Sequence, residues 1–395
     1  MDARSPIEGT NPTIALSIAF NADSSHFAVG LNSGYRIINV MTCRTESSKE
    51  LQKGVGFVQM LNRTNILAIV GGGRRRLFNQ NKVVIWDDGK NQPVREITCL
   101  SPVRGIRLVR NEIIAALSNE VRVYNYRKST PELLARYPTA DNFQGLCAVS
   151  ARMLAFPGRT QGQVQLVESR SGDVSIIPAH ASPLRALAFS PDGDLLATAS
   201  EKGTLIRVWS TKTNAKVVEL RRGADPALIF SLAFNPSGTL LASTSDKGTL
   251  HIYDIPSSAP RASEHSRSGT GSNDSETSSL CEPGPDISKV DSKGKWGLIG
   301  KLPLLPQYFR DITSFASVEF SIGDDPDMAP AISQEAASMG LPQLPKGIAV
   351  WPDEDTVIVI GAGADARWEK FVITMGQDGL RTCIRKGWKK YLEDN

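Results

Sequence analysis

Two adjacent arginines, in Leu220-Arg221-Arg222-Gly223, are the residues of this chain best suited to recognising an anion. A guanidinium presents a planar fork of N–H donors that matches the oxygens of a phosphate. Neighbouring segments supply the other groups a phosphate needs: lysine ammonium groups, hydroxyls and imidazoles. His180, Ser200, Lys202, Thr204 and Arg207 precede the pair, and Ser243, Ser245, Lys247, Thr249 and His251 follow it. If the arginines end a strand, alternation sends their side chains to opposite faces. One strand can then serve two neighbouring pockets, with one set of polar groups on each side. The same residue types also suit a polar network that merely holds repeats together, and composition leaves both readings open.

Other chemistries lack their residues. Gly71-Gly72-Gly73-Arg74-Arg75-Arg76 is glycine-rich but has neither the spacing nor the Lys-Ser/Thr ending of a nucleotide-binding loop. Gly361-Ala362-Gly363 lacks the third glycine of a dinucleotide fingerprint, and Asp353-Glu354-Asp355 reads as a solvated turn. No metalloprotease or serine-hydrolase motif occurs, so no catalytic residue is assigned and no enzyme is expected. Five scattered cysteines and four histidines offer no metal-ligand spacing. No metal and no cofactor are expected, and a reducing compartment fits. A net charge of +4 is too small to mark a nucleic-acid binder. The first residues show no export signal, and no apolar run is long enough to span a membrane.

The elements that must position the arginines are repeats. Ala186-Leu-Ala-Phe-Ser-Pro-Asp-Gly193 matches Ser231-Leu-Ala-Phe-Asn-Pro-Ser-Gly238, and Ser17-Ile-Ala-Phe-Asn-Ala-Asp-Ser24 is a third copy. Ser200-Glu-Lys-Gly-Thr-Leu-Ile-Arg-Val-Trp209 aligns with Ser245-Asp-Lys-Gly-Thr-Leu-His-Ile-Tyr-Asp254, offset by 45 residues. Short alternating strands at a period of about 40–45 residues are the mark of WD40-type propellers. Seven units start near Ile14, Gly54, Val103, Phe143, Pro183, Ala227 and Thr313. The fold expected is all-β: a seven-bladed β-propeller over residues 14–385, four antiparallel strands to a blade. Residues 1–13 and 386–395 are read as tails. Too little chain precedes the first inner strand to lend a strand to the last blade, and Leu380–Arg385 can serve as that blade's outermost strand. Closure without terminal strand exchange is therefore expected.

Two insertions interrupt the pattern. Residues 256–295 are serine-rich and nearly devoid of apolar side chains, which predicts a disordered loop in blade six. Its serines are candidates for phosphorylation. A strand returning around Leu298 to Leu305 is expected to follow it. Residues 323–345 form a shorter insertion, in unit seven.

Leu220-Arg221-Arg222-Gly223, in this place in a seven-unit WD40 chain, resembles the Phe/Leu-Arg-Arg-Gly signature of the PROPPIN family. These are the WIPI-type phosphoinositide-binding propellers of autophagy. The likeness includes Ser200 to Arg207 before the signature and Lys247 to His251 after it. It also takes in Asn81-Lys-Val-Val-Ile-Trp-Asp-Asp88 and Leu305-Pro-Gln-Tyr-Phe309, the latter similar to the family's Pro-x-Tyr-Phe segment. Leucine at 220 points to the Leu-Arg-Arg-Gly branch, with the fungal swollen-vacuole-phenotype homologues. The resemblance implies binding of phosphatidylinositol 3-phosphate and phosphatidylinositol 3,5-bisphosphate at two rim sites. His180, Ser200, Lys202, Thr204, Arg207 and Arg221 would form the first, and Arg222, Ser243, Ser245, Lys247, Thr249 and His251 the second. It further implies a cytoplasmic monomer that associates peripherally with pre-autophagosomal, endosomal and vacuolar membranes. There it would recruit autophagy machinery, including a bridge-type lipid-transfer protein. In the family the long loop of blade six dips into the bilayer. Here that loop is polar, and Trp296, Leu298 and Ile299 are its candidates for membrane contact. The competing reading is a WD40 protein-interaction scaffold with no lipid binding.

Overall fold

A computed structural model describes residues 12–109, 111–256, 312–323 and 326–393. The chain folds into seven sheets, each built on four antiparallel strands in chain order, and one sheet gains a short fifth strand in parallel. This is the seven-bladed propeller that the repeat period implies. Hydrophobic clusters fill the spaces between neighbouring blades. Between blades five and six, Leu220, Ile229, Leu241 and Tyr253 are wholly buried, and Leu232 and Phe234 nearly so.

Among the described residues no strand is exchanged between the chain ends. Blade one is Ala15–Phe20, His26–Leu31, Gly34–Asn39 and Thr45–Glu50; blade seven is Ile348–Val350, Thr356–Ile360, Arg367–Met375 and Arg381–Lys390. The ring closes instead by two main-chain bonds between Ala15 and Gly363, at 3.0 and 2.9 Å. Side chains complete the joint. Trp368 Nε1 donates to the Val40 carbonyl at 2.8 Å, and the Tyr391 ring meets Phe27 edge-on at 5.5 Å. Residues 386–391 are thus no tail: the last strand runs to Lys390, and Tyr391 is buried. The sequence pattern missed this because the strand lies on the outer edge, where most side chains face water and no apolar alternation survives.

Unit seven does not begin at Thr313. Ile312–Thr313 adds to blade five, parallel to Lys216–Arg221, with Ile312 beside Leu220 and Thr313 beside Arg221. Ala316–Glu319 is the fourth strand of blade six, pairing with Thr249–Asp254. The alternation in Phe315 to Phe320 looks like that of an inner strand, and pattern alone does not tell inner from outer. The strand expected around Leu298 to Leu305 lies outside the described residues, as do most of 256–295 and Trp296, Leu298 and Ile299.

The insertion at 323–345 leads into blade seven and carries the helix Ala329–Ser338. That helix packs back on blade two. Glu335 is buried, and its Oε2 accepts from the Arg74 amide at 3.0 Å, while Gln80 Nε2 donates to the Ser338 carbonyl at 2.7 Å. The glycine-rich turn at 71–73 is therefore a seat for a helix.

A candidate anion-binding rim on blades five and six

Blade five consists of Leu184–Phe189, Leu195–Ser200, Leu205–Ser210 and Lys216–Arg221. Blade six repeats it with Ile229–Phe234, Leu240–Ser245, Thr249–Asp254 and Ala316–Glu319. Lys202 and Lys247 are exposed on equivalent turns between the second and third strands. Each turn needs a glycine, because Gly203 and Gly248 have φ of 61° and 66°. A β-carbon on Gly203 would also stand 1.7 Å from the Ala227 carbonyl oxygen. The Lys-Gly-Thr repeats are thus fixed by backbone geometry, and they set a lysine close to a threonine on each of the two blades.

Arg221 is the last residue of its strand and pairs with Leu205; Glu219, two back, pairs with Arg207. Leu220 between them is buried against blade six. Alternation therefore puts Arg221, Glu219 and Arg207 on the face toward blade four and Arg222 on the face toward blade six. Arg222 is held by carbonyls: its Nε donates to Gly203 at 3.2 Å and one terminal nitrogen to Asp225 at 2.7 Å. Its charge reaches His251, where it adds to burial in favouring the neutral imidazole, and Tyr253, where burial keeps the phenol protonated and Arg222 opposes this only in part. Arg221 and Arg222 thus serve different faces of one blade.

On the blade-four face, Arg207 forms an ion pair with Glu219 at 2.7 Å and donates to the Ala179 carbonyl at 2.6 Å. His180 Nε2 lies 2.9 Å from Thr198 Oγ1, and Trp209 Nε1 donates to the same oxygen at 3.0 Å. Thr198 Oγ1 in turn donates to the Arg207 carbonyl at 3.2 Å. Its single proton is then used, so the network assigns the proton of His180 to Nε2. Nδ1 is left as an acceptor, suited to a hydroxyl rather than to a phosphate oxygen. His180 is in this respect part of the polar network that holds the repeat. Ser200 and Thr204 are buried nearby.

On the blade-six face, His251 lies between Ser314 Oγ and Thr249 Oγ1, each at 3.1 Å. Ser243 is directly across the sheet from His251. Ser243 Oγ and Tyr253 Oη are buried without a hydrogen-bond partner among the described residues. Ser245 is buried as well. Thr198, Trp209, Glu219 and Ser314 belong to these clusters and were not picked out from the sequence. The first two stand at repeat positions whose role shows only when the strands pair. Ser314 is 63 residues from His251 in the chain, and nothing local signals that contact.

Burial pushes both imidazoles down from the usual 6.5 to about 4, reinforced by Arg207 at His180 and by Arg222 at His251. Both are neutral at pH 7. Between pH 6.5 and 4 the unfolded chain binds more protons than the folded one, so stability falls as pH drops through that window. The full shift corresponds to about 3 kcal/mol for each histidine at most. The carboxylates with depressed values, Asp192 and Glu219 among them, weaken the fold only at lower pH, below about 4.5. Urea midpoints should therefore decline between pH 6.5 and 4.5 in the native protein and decline less in His180→Gln/His251→Gln. Equal slopes in the two proteins would show that the imidazoles are not held neutral.

A seven-bladed WD40-type propeller with two arginines back to back on a blade edge defines the class of protein. The family model for PROPPIN matches residues 15–272, and the chain belongs to that family of autophagy propellers. It is 43% identical to SVP1-like protein 2 of Neurospora crassa, over 99% of both chains. Among solved structures, Hsv2 of Kluyveromyces marxianus superposes with a TM-score of 0.70 at 20% identity, covering 97% of this chain and 99% of that one. KlAtg21, solved in complex with the coiled coil of AgAtg16, gives 0.60 at 19% identity over 95% and 99%. At such identities the two structures speak for the fold. Among the described residues no helix is long and apolar enough to cross a membrane.

Proposed function

We propose that this protein is a peripheral membrane effector that binds phosphatidylinositol 3-phosphate and phosphatidylinositol 3,5-bisphosphate at two rim sites of blades five and six. The observation that carries the reading is the opposite facing of Arg221 and Arg222, each next to its own cluster of hydroxyl, imidazole and lysine groups. The first site gathers Ser200, Lys202, Thr204 and Arg207 around Arg221, with His180 offering an acceptor to an inositol hydroxyl. The second gathers Ser243, Ser245, Lys247, Thr249 and His251 around Arg222. The unpartnered Ser243 hydroxyl supports the second site, because a buried hydroxyl without a partner costs about 1–3 kcal/mol. Two weak sites on one rigid body that face one membrane gain about 10²–10⁴ in avidity. Family membership favours this reading over a scaffold that ignores lipid.

Membrane-bound protein would then recruit autophagy components to pre-autophagosomal, endosomal or vacuolar surfaces, a bridge-type lipid-transfer protein among them. KlAtg21 with its coiled-coil partner supports the use of such propellers as platforms for proteins. Head-group titration tests the two-site geometry. Soluble inositol 1,3-bisphosphate should bind at close to two per chain in the native protein and close to one in Arg221→Thr or Arg222→Thr alone. A folded single variant that loses all binding would mean one shared pocket.

A further inference from the structure

The inner strands leave a cavity of about 220 Å³ on the propeller axis, at the end where the chain enters those strands. A single water needs only about 10–15 Å³ of such space, so a molecule of several heavy atoms fits. Arg104 and Arg107 line it from blade three, Arg185 from blade five, and Lys346 from the segment before blade seven. Gln144 and Gln343 add side-chain amides, and no Asp or Glu lines the cavity.

The three guanidiniums have no ion-pair partner among the described residues. Arg104 donates to Ser118 Oγ at 3.3 Å and to the Met339 carbonyl, just past the helix Ala329–Ser338, at 2.5 Å. Arg107 reaches only the carbonyl of Ile106, at 2.8 Å. Arg185 Nε is buried without a hydrogen-bond partner among the described residues. Glu201 and Asp246 act on Arg185 through space, but neither lines the cavity. Guanidiniums that converge out of water with no carboxylate in direct contact are costly, and native proteins usually pair such groups. Positive side chains on low-dielectric walls also focus the field into the opening.

We propose that this channel mouth binds a compact soluble anion carrying two or three phosphoryl groups, independently of the rim. Guanidinium forks and amide N–H groups match phosphoryl oxygens. A charge of about −3 on such an anion would balance the three guanidiniums that converge there.

Calorimetry with inorganic tripolyphosphate tests this in the full chain carrying Arg221→Thr/Arg222→Thr, which removes the rim arginines. One anion should bind per chain. Adding Arg107→Gln/Arg185→Gln should weaken it about tenfold or more. Gln144→Glu/Gln343→Glu keeps size and leaves the guanidiniums in place, yet brings carboxylates into the lining. It should weaken binding to a similar degree, and it carries the test if the arginine variant does not fold. With the rim arginines intact, both sets of channel changes should leave flotation with vesicles containing phosphatidylinositol 3-phosphate unchanged. Failure of tripolyphosphate to bind the rim-deficient protein would overturn the proposal. So would undiminished affinity in the folded channel variants. Loss of flotation in those variants would overturn it too, since the cavity would then serve a lipid head group.

Discussion

Vesicles containing phosphatidylinositol 3-phosphate should carry the native protein upward on a density gradient and leave Arg221→Thr/Arg222→Thr behind in solution. Each substitution removes charge-assisted hydrogen bonds worth about 1.5–3 kcal/mol. Losing one arginine also loses the avidity of two sites on one membrane, so the double change acts on both terms. A fall of at least about a hundredfold in apparent affinity is expected. The fold should survive. Arg221 is at a strand end, and the two bonds that Arg222 makes to the Gly203 and Asp225 carbonyls are at the half-exposed rim. Equal flotation of the two proteins, with the double variant folded, would leave the rim without its assigned role and favour the scaffold reading.

Removal of residues 387–395 should abolish a stable fold, although the sequence reads them as a tail. The deletion takes away the pairing of Gly387, Trp388, Lys389 and Lys390 with the third strand of blade seven. It also takes away Tyr391, which packs in the joint between blades one and seven and donates to the Gly361 carbonyl at 2.8 Å. Tyr391→Ala alone should cost about 3–5 kcal/mol, the usual range for emptying a buried aromatic site. Tyr391 sits in the hydrophobic cluster that joins blades one and seven, so its loss opens a cavity at the closure of the ring. Thermal unfolding of the point variant and solubility of the truncated chain are the measurements. A Tyr391→Ala protein that melts within a degree or two of native would show that the ring closes elsewhere.

The deletion succeeds or fails on a feature that the sequence conceals, and the rim arginines on one that it displays. The 45-residue offset between units five and six was enough to place Arg221 and Arg222 at a strand end between two matching repeats. Strand alternation, a local property of the backbone, then divided them between two faces.

Contacts between distant segments were not legible. Ser314 beside His251, Glu335 beneath the glycine turn of blade two, and Tyr391 against Phe27 join residues that no local pattern connects. The fourth strand of blade six and the start of blade seven were misread because inner and outer strands share one alternation and differ only in what covers them. His180 shows the division most clearly. Its type and place in the repeat marked it as a polar group at the site. Only the approach of Thr198 and Trp209, from two other strands, decides that its proton is on Nε2 and that burial keeps it neutral. Sequence determined which residues recur and which face each takes, since both follow from backbone geometry over a few residues. Tertiary structure decided their partners and protonation, since hydrogen bonding and desolvation depend on whatever the whole chain brings within a few ångströms.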